Sequence, residues 1–215
     1  MGVRIVKGDR HQWTVLALAI CTGMLHGGLG AASRAAENIQ VEVGPASRTF
    51  SVAELSDYAQ TGTVSRQLQY YFDQLGDEAI GVLTDVLTYP IEVNFVPFAK
   101  FLRSPGGECL LDKMAQFVQP DIATLSGSQS LRAALVNAAS PDGKMNAIEV
   151  LEKYPTSTIQ IDQNALQGEG DRFAELEDDI YTLFEDADID EDTLTLTEID
   201  YDMLAERALE PCEKL

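Results

Sequence analysis

The chain has 215 residues, 35 acidic against 15 basic side chains, 45% hydrophobic residues and three cysteines, which suits one globular domain with a segment appended. Its net charge of −20 argues against nucleic acid and anionic membrane surfaces as partners, because both repel a polyanion.

The N-terminus reads as a secretory signal peptide over residues 1–35. Arg4, Lys7 and Arg10 form a positive n-region, Trp13 to Leu25 an apolar run, and Gly30 to Ala36 a stretch rich in small residues, with cleavage expected after Ala35. The apolar run is short and followed by glycines, a poor membrane span; an uncleaved anchor is the alternative reading. Export to the periplasm or the extracellular space follows from the signal, with no integral membrane segment left after cleavage. Both histidines, His11 and His26, and one cysteine, Cys21, lie in this segment. Removing its one acid and four bases leaves 34 acids against 11 bases, a net charge of −23. Cys109 and Cys212 remain, 103 residues apart. In an oxidising compartment they read either as a disulfide, worth ~4.7 kcal/mol in the chain-entropy model, or as two separate thiols.

Residues 37–163 read as a compact, mainly helical domain with a small β-hairpin and short sheet. Ile39, Val41 and Val43 alternate with polar residues, Gly44-Pro45 turns the chain, and Thr49-Phe50 resumes an extended pattern, which predicts a hairpin. Ser51 and Glu54 have the spacing of a capping box, and Gly62 closes the helix that follows. Leu68, Tyr71, Phe72 and Leu75 make an apolar stripe. Asp77 opens a further helix that ends at Pro90, and Asn94 is expected to cap a short one holding Phe98 and Phe101. Ser104-Pro105 is a cap followed by proline at the first helical position; Leu110, Leu111, Met114, Phe117 and Val118 then share one side of a helix. Leu131 to Ala138 supply another, ended by Ser140-Pro141-Asp142-Gly143, and a last one stops at Pro155. Thr158 to Ile161 alternate as a strand able to pair with the opening hairpin. This body is expected to fold cooperatively by itself.

Beyond the expected linker Gly168-Glu169-Gly170, residues 169–202 hold 15 acids and one base, while 37–168 hold 16 and eight. Phe173, Leu176, Ile180, Leu183 and Phe184, then Ile199, Met203 and Leu204, keep helical stripes, so residues 169–215 read as an acidic helical hairpin. Between its helices Asp186, Asp188, Asp190 and Asp192 alternate, with Glu198 further on. Alternate carboxylates flanked by helices give the layout of a calcium-binding EF-hand. The register departs from that motif, since Glu191 stands at the turn-glycine position counted from Asp186 and Glu198 at position 13. The loop therefore reads either as a weak calcium site through Asp186, Asp188, Asp190, Asp192 and Glu198 or as a solvated acidic loop; no other cofactor is expected.

Catalytic motifs are missing from the text. With no histidine after residue 26, Ser-His-Asp and Cys-His triads and histidine zinc sites are excluded from the mature chain. Ser126-Gly127-Ser128-Gln129-Ser130 only looks like a Gly-x-Ser-x-Gly elbow, and no P-loop, dinucleotide fingerprint or CxxC occurs.

As a set, SVAEL at 51–55, TGTVSRQLQYYFDQL at 61–75, YPIEVNF at 89–95, SPGGECLLDKM at 104–114 and the run from Ser130 to Asp162 resemble, in order and spacing, a known domain. It is the helical domain of unknown function that follows the signal peptide in secreted cyanobacterial proteins of the alpha/beta-hydrolase type, and the likeness spans about 37–163. The resemblance implies a catalytic domain further along the chain, yet the segment after 163 offers no nucleophile elbow and no catalytic residue carries over. The expectation is therefore an exported, non-catalytic accessory module that binds a protein partner, a hydrolase being one such partner. A hydrolase using unrecognised carboxylate chemistry and a calcium module are the alternatives.

Overall fold

In a computed structural model of the chain, residues 35–43, 46–75, 77–140, 142–162, 172–187 and 195–213 are described, all of them within one compact unit, Arg34–Leu215. The expected signal peptide, the Gly44-Pro45 turn and the Gly168 linker lie outside the described residues. Among those described, no helix is long and apolar enough to cross a membrane.

The opening hairpin is β1 (Asn38–Val43) antiparallel to β2 (Ala46–Ser51). Strand β6 (Thr158–Asp162) lies parallel to β1 with Ile39 opposite Ile159, and β4 (Val118–Pro120) closes the sheet, antiparallel to β6. The order is β2-β1-β6-β4. Ile39 is 5% exposed and Ile159 fully buried, so the pairing expected from alternation places its apolar residues in the core.

Ser51 ends β2 and at once caps α1 (Val52–Thr61), its hydroxyl accepting from the Glu54 amide at 3.4 Å. Gly62, in the left-handed region at φ 72°, donates its N–H to Tyr58 and stops the helix. Helices α2 (Arg66–Leu75) and α3 (Asp77–Thr88) follow, bringing Leu68, Phe72 and Leu87 into the core. Asn94 sits at the N-cap of α4 (Phe95–Phe101), although its side chain makes no capping bond.

Helix α5 (Pro105–Met114) begins as expected, with Ser104 accepting from the Gly107 amide, but it ends a turn early. The stripe through Phe117 and Val118 looked helical; instead Val118 enters β4 and the Phe117 carbonyl accepts from Asp162 N–H at 3.1 Å. Phe117 remains buried, which explains why spacing alone did not separate the two readings. Helices α6 (Gly127–Ala139) and α7 (Ala147–Glu152) complete the body, α7 with a full Asn146–Glu149 capping box.

A second sheet was not expected at all. β3 (Ile91–Val93) pairs antiparallel with β5 (Lys144–Met145) and parallel with β7 (Thr195–Leu196). Glu92 and Lys144 face each other in register and form an ion pair at 2.5 Å, which raises the Lys144 pKa.

Beyond the body, α8 (Arg172–Asp186) and α9 (Tyr201–Glu213) form the expected helical pair. They are not appended to the surface: Leu183, Ala187, Tyr201, Leu204 and Ala208 belong to the same buried cluster as Phe98, Phe101, Leu111 and Ile159. α9 lies so close to α5 that a methyl at Gly106 would overlap the Ala205 carbonyl. The molecule is thus mainly α with two short mixed sheets, and its two expected regions share one core.

Candidate functional site

On α5, Cys109, Asp112 and Lys113 fall at i, i+3 and i+4 and emerge on one face, with Gln116 in the turn that follows beside them. Opposite them α8 contributes Glu175, Leu176 and Asp179, and the end of α9 contributes Pro211 and Cys212. Together these line a half-open cleft of about 640 Å³. Its walls are acidic: Lys113, the one cationic side chain among the described residues that line it, is bound in an ion pair to Asp179, while Asp112 and Glu175 are exposed. Its floor is apolar, with Phe117 and Leu176 buried. Cys109 and Cys212, both on its lining, are joined as a disulfide between α5 and α9, their Cα atoms 6.2 Å apart.

The proposed calcium ligands lie at the far end of α8 and beyond it in the chain. Asp186 is the last residue of α8 and Glu198 is exposed, whereas Asp188, Asp190 and Asp192 lie outside the described residues. Among the described residues no group of three or more histidine, cysteine or carboxylate side chains is arranged to hold a metal ion.

A smaller cleft of about 330 Å³ runs between α4 and α9 and includes Asn94, Lys100, Asp200 and Asp202. Asp200 is committed to structure, since its carboxylate accepts from the amides of Asp202 and Met203 at 3.0 and 3.1 Å and caps α9. Tyr201 beside it donates to the Leu196 carbonyl at 2.7 Å. Burial pushes its pKa up to about 12, against a smaller lowering by the Asn94 backbone. The serine run at 126–130 is likewise a helix cap, Ser126 accepting from the Gln129 amide.

Sequence reasoning missed one hydroxyl–carboxylate pair. Ser56 on α1 donates to Glu152 on α7 at 2.5 Å and accepts from Gln60 at 3.0 Å. Ser56 is 6% exposed. The partners are 96 residues apart and carry no motif, so no local signal points to them. Two further buried oxygens, Glu54 Oε2 and the Tyr154 hydroxyl, have no hydrogen bond of normal geometry. Burial pushes the Tyr154 pKa up to about 12, and the Ser130 hydroxyl pulls it down less.

The described residues define a mainly helical module with an acid-walled, disulfide-lined cleft. The family described as alpha/beta hydrolase of unknown function, DUF1400, matches residues 35–162, and the chain belongs to that family. No curated protein and no solved structure matches it. The match covers β1 through β6 and leaves α8, β7 and α9 outside it, so two of the three walls of the cleft come from residues beyond the family region.

Proposed function

We propose that the chain is an exported, non-catalytic module that binds a protein partner, with the cleft between α5, α8 and α9 receiving a basic segment of that partner. The observation that carries this reading is the wall chemistry: Asp112 and Glu175 are exposed while Lys113 is bound to Asp179, above an apolar floor. Charge complementarity of this kind chooses partners and speeds encounter. A hydrolase of the same family acting beside it in trans is the first partner to test. Its basic segments would supply both the cations and the apolar contacts.

The test uses the full chain, a lysine-rich peptide with interspersed leucines, and a glutamate-rich counterpart. Binding of the basic peptide alone is expected, weakening as salt rises. With exposed charges worth about 0.2–1 kcal/mol each, Asp112→Asn with Glu175→Gln should weaken it roughly 2- to 30-fold. Equal binding by the double variant would remove the cleft from the account. Export is tested separately by sequencing the N-terminus of secreted protein, which should begin at Ala36.

The second reading, a hydrolase, is favoured by the Ser56–Glu152 pair, where a buried hydroxyl donates to a carboxylate across two helices of the body. Ester turnover lost in both Ser56→Ala and Glu152→Gln, with melting unchanged, would support it.

A further inference from the structure

The disulfide lies on the lining of the half-open cleft and not in the closed core. Cys109 is only 7% exposed, yet both cysteines line the half-open cleft of about 640 Å³, so a solvent-borne thiolate can approach the bond along it. Cys212 is half-buried where Cys109 is buried, which makes its sulfur the point of attack. One residue before it Pro211 sits inside α9 and has no N–H to donate back along the helix. The last turn of α9 is therefore short of a hydrogen bond where the covalent tie is made. The preceding residues are secured otherwise, by the burial of Tyr201, Leu204 and Ala208. Lys113, one helical turn on from Cys109, lines the same cleft in its ion pair with Asp179.

We propose that Cys109–Cys212 is a thiol–disulfide exchange site for a dithiol reductant, and that its reduction releases the end of α9 after Ala208 while the rest of the fold stays in place. A thiolate of the reductant attacks Cys212 Sγ, forming a mixed disulfide and expelling the Cys109 thiolate. The second thiol of the reductant then displaces Cys212. The dithiol becomes a disulfide, and the two cysteines take up its two electrons and two protons. The site needs no binding partner, so it stands or falls apart from the binding role.

The experiment takes the full chain carrying Cys21→Ser, so that only this pair can react, and treats it with dithiothreitol in the absence of denaturant. Free thiols are counted by alkylation and mass, and amide exchange is followed along the chain. The expected result is two alkylations per chain with exchange of the amides at 209, 210, 212 and 213 accelerated at least tenfold, and exchange in α1 and α6 unchanged. Cys212→Ser should reproduce that pattern without reductant. Three results would overturn the proposal: a bond reduced only after denaturant is added, reduction that leaves those amides as protected as before, or reduction that accelerates exchange throughout the molecule.

Discussion

The body and the C-terminal segment are held by different means. Within residues 35–162 the main frame is backbone: β1 pairs with β2 and β6, and β6 with β4, over up to six residues each. The segment from Arg172 to Glu213 contributes one backbone pairing among the described residues, Thr195 and Leu196 of β7 with Glu92 and Val93. Otherwise it is held by side chains, namely buried Leu183, Tyr201, Leu204 and Ala208, the Lys113–Asp179 ion pair and one disulfide. Tyr201 does much of the joining, its ring lying 6.4 and 6.2 Å from those of Phe98 and Phe101. A segment held in this way depends on a few side chains and one bond, whereas the body also has a frame of paired strands.

The most direct way to break this comparison is to remove the segment. Ending the chain after Asp162 would bare Val93, Phe98, Phe101 and Leu111, which are at most 6% exposed in the intact molecule. At about 1.5–3 kcal/mol for each apolar side chain fully returned to water, the loss rivals a typical total stability of about 5–15 kcal/mol. The expected outcome is a broad, weakly cooperative melt by circular dichroism and strong binding of a hydrophobic dye. A sharp melt near that of the full chain would return the body to the independence expected from its sequence.

A finer instrument is the glycine pair at the start of α5. A methyl on Gly106 would overlap the carbonyl of Ala205 in α9, while one on Gly107 would overlap the carbonyl of Phe101 in the body. Overpacking of this kind costs about 1–3 kcal/mol. Gly106→Ala should shift α9 outward, so urea melts lose about 2–3 kcal/mol and amide exchange rises first in 201–213. Gly107→Ala should lose a similar amount with exchange rising across α4 and α5 instead. The same pattern from both variants would show that the segment and the body respond as one packed unit.

These contrasts explain what could be read in the sequence. Local signals were legible: Ser51, Ser104-Pro105 and Gly62 mark helix ends through bonds to residues three or four away. The pairing of β1 with β6 was legible because both strands alternate over at least four residues. The second sheet was not, since β3, β5 and β7 have three, two and two residues, too few for a period to show. The cleft was illegible for another reason. Its walls come from α5, α8 and α9, and the periodicity of each helix says which face is apolar but not which helix it meets. Cys109 and Cys212 could be matched by arithmetic, yet the 6.2 Å between their Cα atoms depends on how α9 docks.

Alkaline titration sharpens the comparison with one probe in each region, Tyr154 in the body and Tyr201 in the segment. Both have pKa values pushed up from 10 to about 12 by burial. The folded state therefore holds two protons that the unfolded chain begins to release at pH 10. Stability from this source is complete below about pH 10 and is lost as pH rises towards 12. At one pH unit into that window the loss is about 1.4 kcal/mol per tyrosine, so urea stability should fall by about 2–3 kcal/mol between pH 9 and 11. Tyr201→Phe should remove about half of that slope. An unchanged slope would mean that the Tyr201 ring ionises without leaving its place against Phe98 and Phe101.

The smallest effect concerns the acidic loop between α8 and β7. Glu198 is exposed and Asp186 closes α8, and no group of three or more ligand-type side chains is arranged to hold a metal among the described residues. A calcium site there would rest on the loop acids alone, with millimolar affinity appropriate to extracellular modules. At 1 mM calcium and a dissociation constant of about 1 mM, binding stabilises the folded chain by about 0.4 kcal/mol, a rise in Tm of about 1 °C. The measurement is a calorimetric melt of the parent and of the Asp188→Asn, Asp190→Asn double variant across a calcium series. A rise of 4 °C or more in the parent, lost in the variant, would mean that the loop binds calcium far more tightly than its departure from the EF-hand register allows.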